Sequence, residues 1–291
     1  MKGKIMAAGV ELLISYFAIS GDVHPFGPTE ISPFPFKDRV EAAARAGFVG
    51  FGLHPDDVAT TRDQIGYAEM RRIIEANGIK YLEIEAVVDW YKTGEERAKA
   101  DLLRAQIFEA VNELGMRDIK ALPGFEGGEP NIELMGEEFG KLCDQAAGTG
   151  TEVVLEIMPW SNVRTIEAGV GIMKVANRNN GGLLLDIWHM ARGNIPYSDI
   201  SKIPAHLIKA IEIDDALREP PVESIWDDTI HHRMLPGEGE LDVPAFLRAV
   251  KTAGYNSVYG TEVLSADHRK RGLDEMARRV FESSMAQFAK V

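Results

Sequence analysis

Short apolar runs alternate with amphipathic stretches of helical period along almost the whole chain. Residues 10–18, 48–54, 80–88, 118–122, 151–158, 182–188, 208–213 and 257–264 have the length and continuous apolar character of buried strands. Between them, residues 36–46, 62–76, 95–114, 132–147, 165–177, 243–253 and 273–289 repeat apolar positions at helical spacing, with a shorter helix over 197–205. Glycines or Asn-Gly punctuate many helix ends, at Gly47, Asn77-Gly78, Gly115, Gly148 and Gly254. A longer polar connection spans 214–242.

The pattern gives eight β-then-α units of about thirty residues each, the size of a βα repeat. Such alternation implies a parallel sheet with helices outside it. An open doubly wound sheet is the rival arrangement. No Pro/Gly/Ser linker divides the units, and no glycine-rich dinucleotide fingerprint follows the first strand. The expected fold is therefore α/β, a single (β/α)₈ TIM barrel over residues 1–291.

Composition narrows the function. Hydrophobic residues make up 45% of the chain, enough for a sizeable core. The net charge of -13 repels phosphate backbones and argues against a nucleic-acid partner. Cys143 is the one cysteine, so thiolate zinc sites and intrachain disulfides are excluded, and a cytoplasmic location is expected. Lys2 and Lys4 precede an apolar stretch, residues 5–19, that faintly resembles a signal peptide. Glu11 interrupts that stretch, which favours a buried first strand. No run approaches the ~20 apolar residues of a membrane span, so no membrane partner is expected.

Four of the strand candidates break the apolar rule near their C-terminal ends. They are Val153-Val154-Leu155-Glu156-Ile157, Leu184-Leu185-Asp186-Ile187, Ala210-Ile211-Glu212-Ile213 and Gly260-Thr261-Glu262-Val263. A buried carboxylate is normally paired, protonated or bound to a metal. Four from consecutive strands would converge at the C-terminal mouth of a barrel, where barrel active sites lie. No four-fold set of lysines or arginines stands in these strands to neutralise them. Glu156, Asp186, Glu212 and Glu262 are therefore the expected ligands of one divalent metal, and oxygen donors favour Mn²⁺ or Mg²⁺. Glu83 and Glu85, on the third strand, stay outside this set; one of them is expected to face the helices and pair there. Trp90, Trp160 and Trp188 follow or end strands and either wall a ligand-binding site or pack its rim; His54, ending the second strand, is open in the same way.

At these residues the chain resembles the xylose isomerase-like sugar isomerase/epimerase superfamily, which includes D-tagatose 3-epimerase-type enzymes and hydroxypyruvate isomerases. The resemblance spans nearly the whole chain and is sharpest from residue 152. Val154-Leu155-Glu156, Asp186-Ile187-Trp188-His189, the run from Arg233 through Pro236-Gly237-Glu238-Gly239, and Gly260-Thr261-Glu262 carry it. It implies a metal held by Glu, Asp, His and Glu from the last four strands. Glu156, Asp186 and Glu262 match, while Glu212 stands where the histidine is expected.

The resemblance further implies that Glu156 and Glu262 form the acid/base pair of a sugar isomerase or epimerase. One removes a proton next to a carbonyl and the other returns it, with an enediolate between. His189 and Arg233 would hold substrate oxygens, or else be a buried structural histidine and a surface ion pair. Trp160, Trp188 and His54 complete the substrate-binding candidates. The alternative is a lyase on the same scaffold, of the inosose or 3-dehydroshikimate dehydratase type, in which the enediolate expels a β-hydroxyl. A non-catalytic binding protein is a further alternative. A repair endonuclease of the related fold would need a histidine-rich multi-zinc cluster, and the chain has seven histidines, mostly away from the strand ends. The expected partners are a small sugar-like molecule and a second copy of the chain through the outer helices.

Overall fold

In a computed structural model, which describes residues 9–291, eight parallel strands close into a barrel in sequence order. They are β1 (Leu12–Ile14), β2 (Gly50–Leu53), β3 (Tyr81–Val87), β4 (Asp118–Ala121), β5 (Glu152–Glu156), β6 (Gly181–Asp186), β7 (Ile208–Ile213) and β8 (Tyr259–Thr261). Closure comes from β1 pairing with β8, with Leu13 opposite Gly260. The basic residues Lys2 and Lys4 of the signal-peptide-like stretch lie outside the described residues.

Nine α-helices surround or cap the barrel among the described residues: α1 (Phe36–Ala46), α2 (Pro55–Ala76), α3 (Gly94–Leu114), α4 (Ile132–Ala147), α5 (Ile166–Ala176), α6 (Ile187–Arg192), α7 (Ile225–His231), α8 (Val243–Thr252) and α9 (Leu273–Phe288). The main core lies between strands and outer helices, where outward-facing residues such as Val153, Leu155, Leu183 and Leu185 meet Phe139, Leu142 and Ile172. No described helix is long and apolar enough to cross a membrane.

Several boundaries differ from the sequence expectation, and three of these differences bear on the site. The first strand stops at Ile14, and Tyr16–Ala18 forms a 3₁₀ turn. The sixth strand ends at Asp186 because that side chain accepts the backbone N–H groups of Trp188 (2.6 Å) and His189 (3.2 Å) and so starts α6. Trp188 and His189 therefore sit on a helix, not at a strand end. The polar connection hides α7, capped by Ser224 through the Asp227 N–H.

The interior alternates with the pleat. Residues two apart share a face, so Val154 and Glu156, Leu184 and Asp186, and Ala210 and Glu212 point the same way. Val154, Leu184 and Ala210 form an apolar layer of their own. The carboxylates lie one step further along each strand, and the register places Asp186 opposite Glu212 and Glu212 opposite Gly260. A Cβ on Gly260 would come within 2.9 Å of Glu212 Cγ, so glycine there makes room for the carboxylate beside it.

His268 ties the loop after β8 to the turn after β1. Its buried Nε2–H donates to the Ala18 carbonyl at 2.9 Å. Burial pushes its pKa down to about 4, from an ordinary value near ~6.5. Between those values the unfolded chain binds a proton that the folded chain does not. Stability should therefore fall as pH drops from about 6.5 to about 4, by up to about 3 kcal/mol from this group. His268→Gln keeps a donor and does not titrate. Urea denaturation of both proteins over this range should show the wild-type deficit growing toward acid pH, whereas parallel pH profiles would exclude the effect.

Candidate active site at the C-terminal mouth of the barrel

The four strand-end carboxylates come together. One oxygen from each of Glu156, Asp186, Glu212 and Glu262 lies within 4.8 Å of the others, and all four residues are buried. They do not stand without cations, as the sequence had suggested. Lys120, on β4, reaches into the same space. Its Nζ donates to Glu85 Oε1 (2.7 Å), Glu212 Oε1 (2.6 Å) and Glu262 Oε1 (3.1 Å), and Glu83 Oε1 is 3.8 Å away. Ser15 Oγ–H adds a hydrogen bond to Glu212 Oε1 at 3.0 Å.

The second cation is Arg233. It is buried, and its Nη1 contacts Asp186 Oδ2 (2.7 Å), Asp214 Oδ2 (2.8 Å) and Glu262 Oε2 (3.1 Å). Its other nitrogens donate to the Thr229 carbonyl and hydroxyl, and the guanidinium lies 4.9 Å from the Trp188 ring centroid. Neither a surface ion pair nor an unengaged donor fits this placement. Arg233 lines the cavity while holding three carboxylates.

Glu83 and Glu85 depart from the expectation that one would face the helices. Two residues apart on one strand, they share the inner face, and both are buried toward Lys120. Burial raises the Glu85 pKa to about 8, with Lys120 opposing the rise. Glu212 is also raised, by burial and then by the charge of Glu262, against the pull of Lys120. Glu262 goes the other way. Burial would raise it, but Lys120, Arg233 and His189 hold it at about 2.

Above this floor lies a cavity of about 210 Å³. Of the carboxylate quartet, Glu156 and Glu262 line it; Glu85, His189 and Arg233 join them. His189 Nε2 sits 2.9 Å from Glu156 Oε1, without the alignment of a hydrogen bond, and 3.4 Å from Arg233 Nη2. His54 lines the opposite wall against Tyr16 and Phe17, with Nε2 3.4 Å from Glu30 Oε2. Trp160 lines the cavity and packs on His189. Trp188 does not line it; fully buried, it supports Arg233 and His189 from below. Trp90 is buried, with Nε1–H donating to the Leu122 carbonyl, and belongs to the packing.

Phe26 and Phe125, from two loops, and Trp226, from the first turn of α7, meet over the mouth with ring centroids 5.2–5.9 Å apart. Phe26 adopts a left-handed φ of 57°, and its N–H donates to Glu30 Oε1 at 2.7 Å. Glu30, His54 and Asp56 form a further cluster of potential metal ligands at this rim.

The Pro236-Gly237-Glu238-Gly239 run wraps a buried carboxylate. Asp215 accepts the N–H groups of Gly237 (2.8 Å) and Leu241 (2.9 Å). A Cβ on Gly239 would lie 2.4 Å from Asp215 Oδ1, so only glycine fits this close approach. The motif thus anchors the loop that carries Arg233 inward.

A closed parallel barrel with a buried acidic cluster under a small cavity at its C-terminal mouth is the arrangement of a barrel active site. The chain belongs to the xylose isomerase-like TIM-barrel family, whose model matches residues 40–283. It is similar to a 3-dehydroshikimate dehydratase of Pseudomonas aeruginosa, 27% identical over 241 residues; the match covers 80% of this chain but only 36% of that longer protein. It is also similar to an inosose isomerase of Bacillus subtilis, 25% identical over 209 residues, covering 68% of this chain and 72% of that one. Among solved structures, the IolI protein with a bound zinc atom superposes with a TM-score of 0.82 at 19% identity, over 97% of this chain and 98% of that chain. A D-psicose 3-epimerase crystallised in the presence of D-fructose gives 0.71 at 15% identity, over 94% and 96%. These structural likenesses are of fold.

Proposed function

We propose that this protein is an isomerase or epimerase that takes a proton from the carbon next to a carbonyl in a small sugar or polyol ketone. The observation that carries this reading is the pair Glu156 and Glu262, two buried carboxylates opening into one cavity from β5 and the end of β8. A proton α to a carbonyl is weakly acidic, and its removal needs a base in place and stabilisation of the oxyanion that forms. In this assignment one glutamate accepts the proton from one side of the substrate and the other returns it. In this reading His189, which lines the same floor, orients a substrate oxygen, and Arg233 holds the acidic floor in place beside it. The cavity is smaller than the ~300–1,000 Å³ of sites for drug-sized ligands, which suits a small polyol.

The carboxylate quartet also fits a divalent cation. Four buried oxygens converge within 4.8 Å, and Glu156 Oε1 and Glu212 Oε2 have no hydrogen-bond partner among the described residues. Glu156, Asp186, Glu212 and Glu262 would hold the ion, and an all-oxygen set favours Mn²⁺ or Mg²⁺. When bound, such an ion supplies positive charge to a substrate carbonyl and its neighbouring hydroxyl.

The second reading is a lyase that begins with the same proton abstraction. Its support is the similarity to a dehydratase alongside the isomerases. A screen of ketoses and cyclic polyol ketones with Mn²⁺ or Mg²⁺, read by NMR, separates the two. Isomerisation gives a product of unchanged mass, and dehydration gives one lighter by a water. No conversion across both substrate classes would contradict the proposal.

A further inference from the structure

We propose that Lys120 is a built-in counter-ion that competes with a divalent cation for Glu212 and Glu262 and keeps the carboxylate cluster assembled when no metal is bound. The inference rests on the reading of the quartet as a metal site. Its basis is position. Lys120 is 1% exposed, and its ammonium lies 2.6 Å and 3.1 Å from one oxygen of each of two quartet members. Glu85 and Glu83 hold it from the other side, at 2.7 Å and 3.8 Å. A lysine on a barrel strand has a long, flexible stem, yet this one is fixed among four carboxylates.

Two consequences follow from charge alone. Without a divalent ion, the ammonium supplies the positive charge that Glu212 and Glu262 need in order to be buried side by side. With one, ammonium and metal would approach the same oxygens, and like charges a few ångströms apart in a buried site repel strongly. Lys120 therefore lowers metal affinity while making the folded state independent of metal. Arg233 does not play this part for Glu212. It serves Asp186, Asp214 and the other oxygen of Glu262.

The test is calorimetric titration of Mn²⁺ into metal-free wild type and Lys120→Met, with thermal melts of each protein with and without Mn²⁺. Lys120→Met should bind Mn²⁺ about tenfold or more tightly than wild type. Its metal-free form should melt well below wild type, and Mn²⁺ should restore most of the difference. If Lys120→Met does not fold, the same comparison is made between Glu212→Gln and Lys120→Met/Glu212→Gln, where the partner charge is removed too, and the double variant should again bind more tightly. Equal or weaker binding once the lysine is removed, with wild type binding normally, overturns the inference and leaves the metal site standing. Absence of binding to every protein at millimolar Mn²⁺ overturns the metal site and the inference with it.

Discussion

Glu156→Gln and Glu262→Gln should each lower turnover by about 10²–10⁴-fold. Glutamine keeps the shape and one acceptor oxygen but cannot carry the proton. The loss should fall mainly on kcat, because the substrate can still occupy the cavity. Glu262→Gln also removes negative charge facing Lys120 and Arg233, so melting temperatures are measured alongside to separate catalysis from folding. Steady-state kinetics on the substrate found by the screen provide the check. Either variant, folded and within a few-fold of wild-type turnover, would rule out the paired-glutamate assignment.

The second large effect is on stability. Arg233→Leu removes the partner of Asp186, Asp214 and one oxygen of Glu262 and leaves these carboxylates buried with less compensation. Breaking a buried pair in this way costs about 3–5 kcal/mol. Urea denaturation at neutral pH should show a drop of that size, and Arg233→Lys a smaller one, because lysine keeps the charge but not the fork. The sign with pH follows from the same contacts. Burial, then the charge of Asp186, already raises the Asp214 pKa, and Arg233 is the group that opposes the rise. Without Arg233 the Asp214 carboxyl takes up a proton more readily, so the variant's deficit should shrink as pH falls. A deficit under about 1 kcal/mol, or one that grows toward acid pH, would contradict the role given to Arg233.

Much of this arrangement is visible in the sequence because a barrel strand has little freedom. Leu184-Leu185-Asp186 and Ile211-Glu212-Ile213 are apolar runs broken once, and the break falls where the pleat turns the side chain inward near the strand end. The four carboxylates that the pattern singles out are the ones that converge. What stayed hidden depends on partners distant in sequence. Lys120 stands in the four-residue strand Asp118-Ile119-Lys120-Ala121, where a lysine is as conspicuous as a glutamate elsewhere. Its meaning appears only when β4 is placed across the barrel from β7 and β8. Glu83 and Glu85 could have been placed together from their spacing, since alternate residues of a strand cannot face opposite sides.

The remaining differences arise from local capping and loop packing. Asp186 doubles as the cap of α6, which turns Trp188 beneath the site and leaves His189 at its edge. The aromatic contact of Phe26, Phe125 and Trp226 joins two loops and the start of α7, with no shared sequence period. Arg233, within the polar connection, is held toward the floor by the turn that follows it, which Asp215 binds.

The most direct test of the proposed chemistry is the reaction run in D₂O with the substrate found by the screen and product analysed by NMR. Deuterium should appear at the carbon next to the carbonyl, and in recovered substrate where abstraction is reversible. Label in product should fall with turnover in both Glu156→Gln and Glu262→Gln, and label in recovered substrate should be lost in the variant that lacks the abstracting glutamate. Product formed by wild type with only protium at that carbon would contradict proton exchange through these two glutamates.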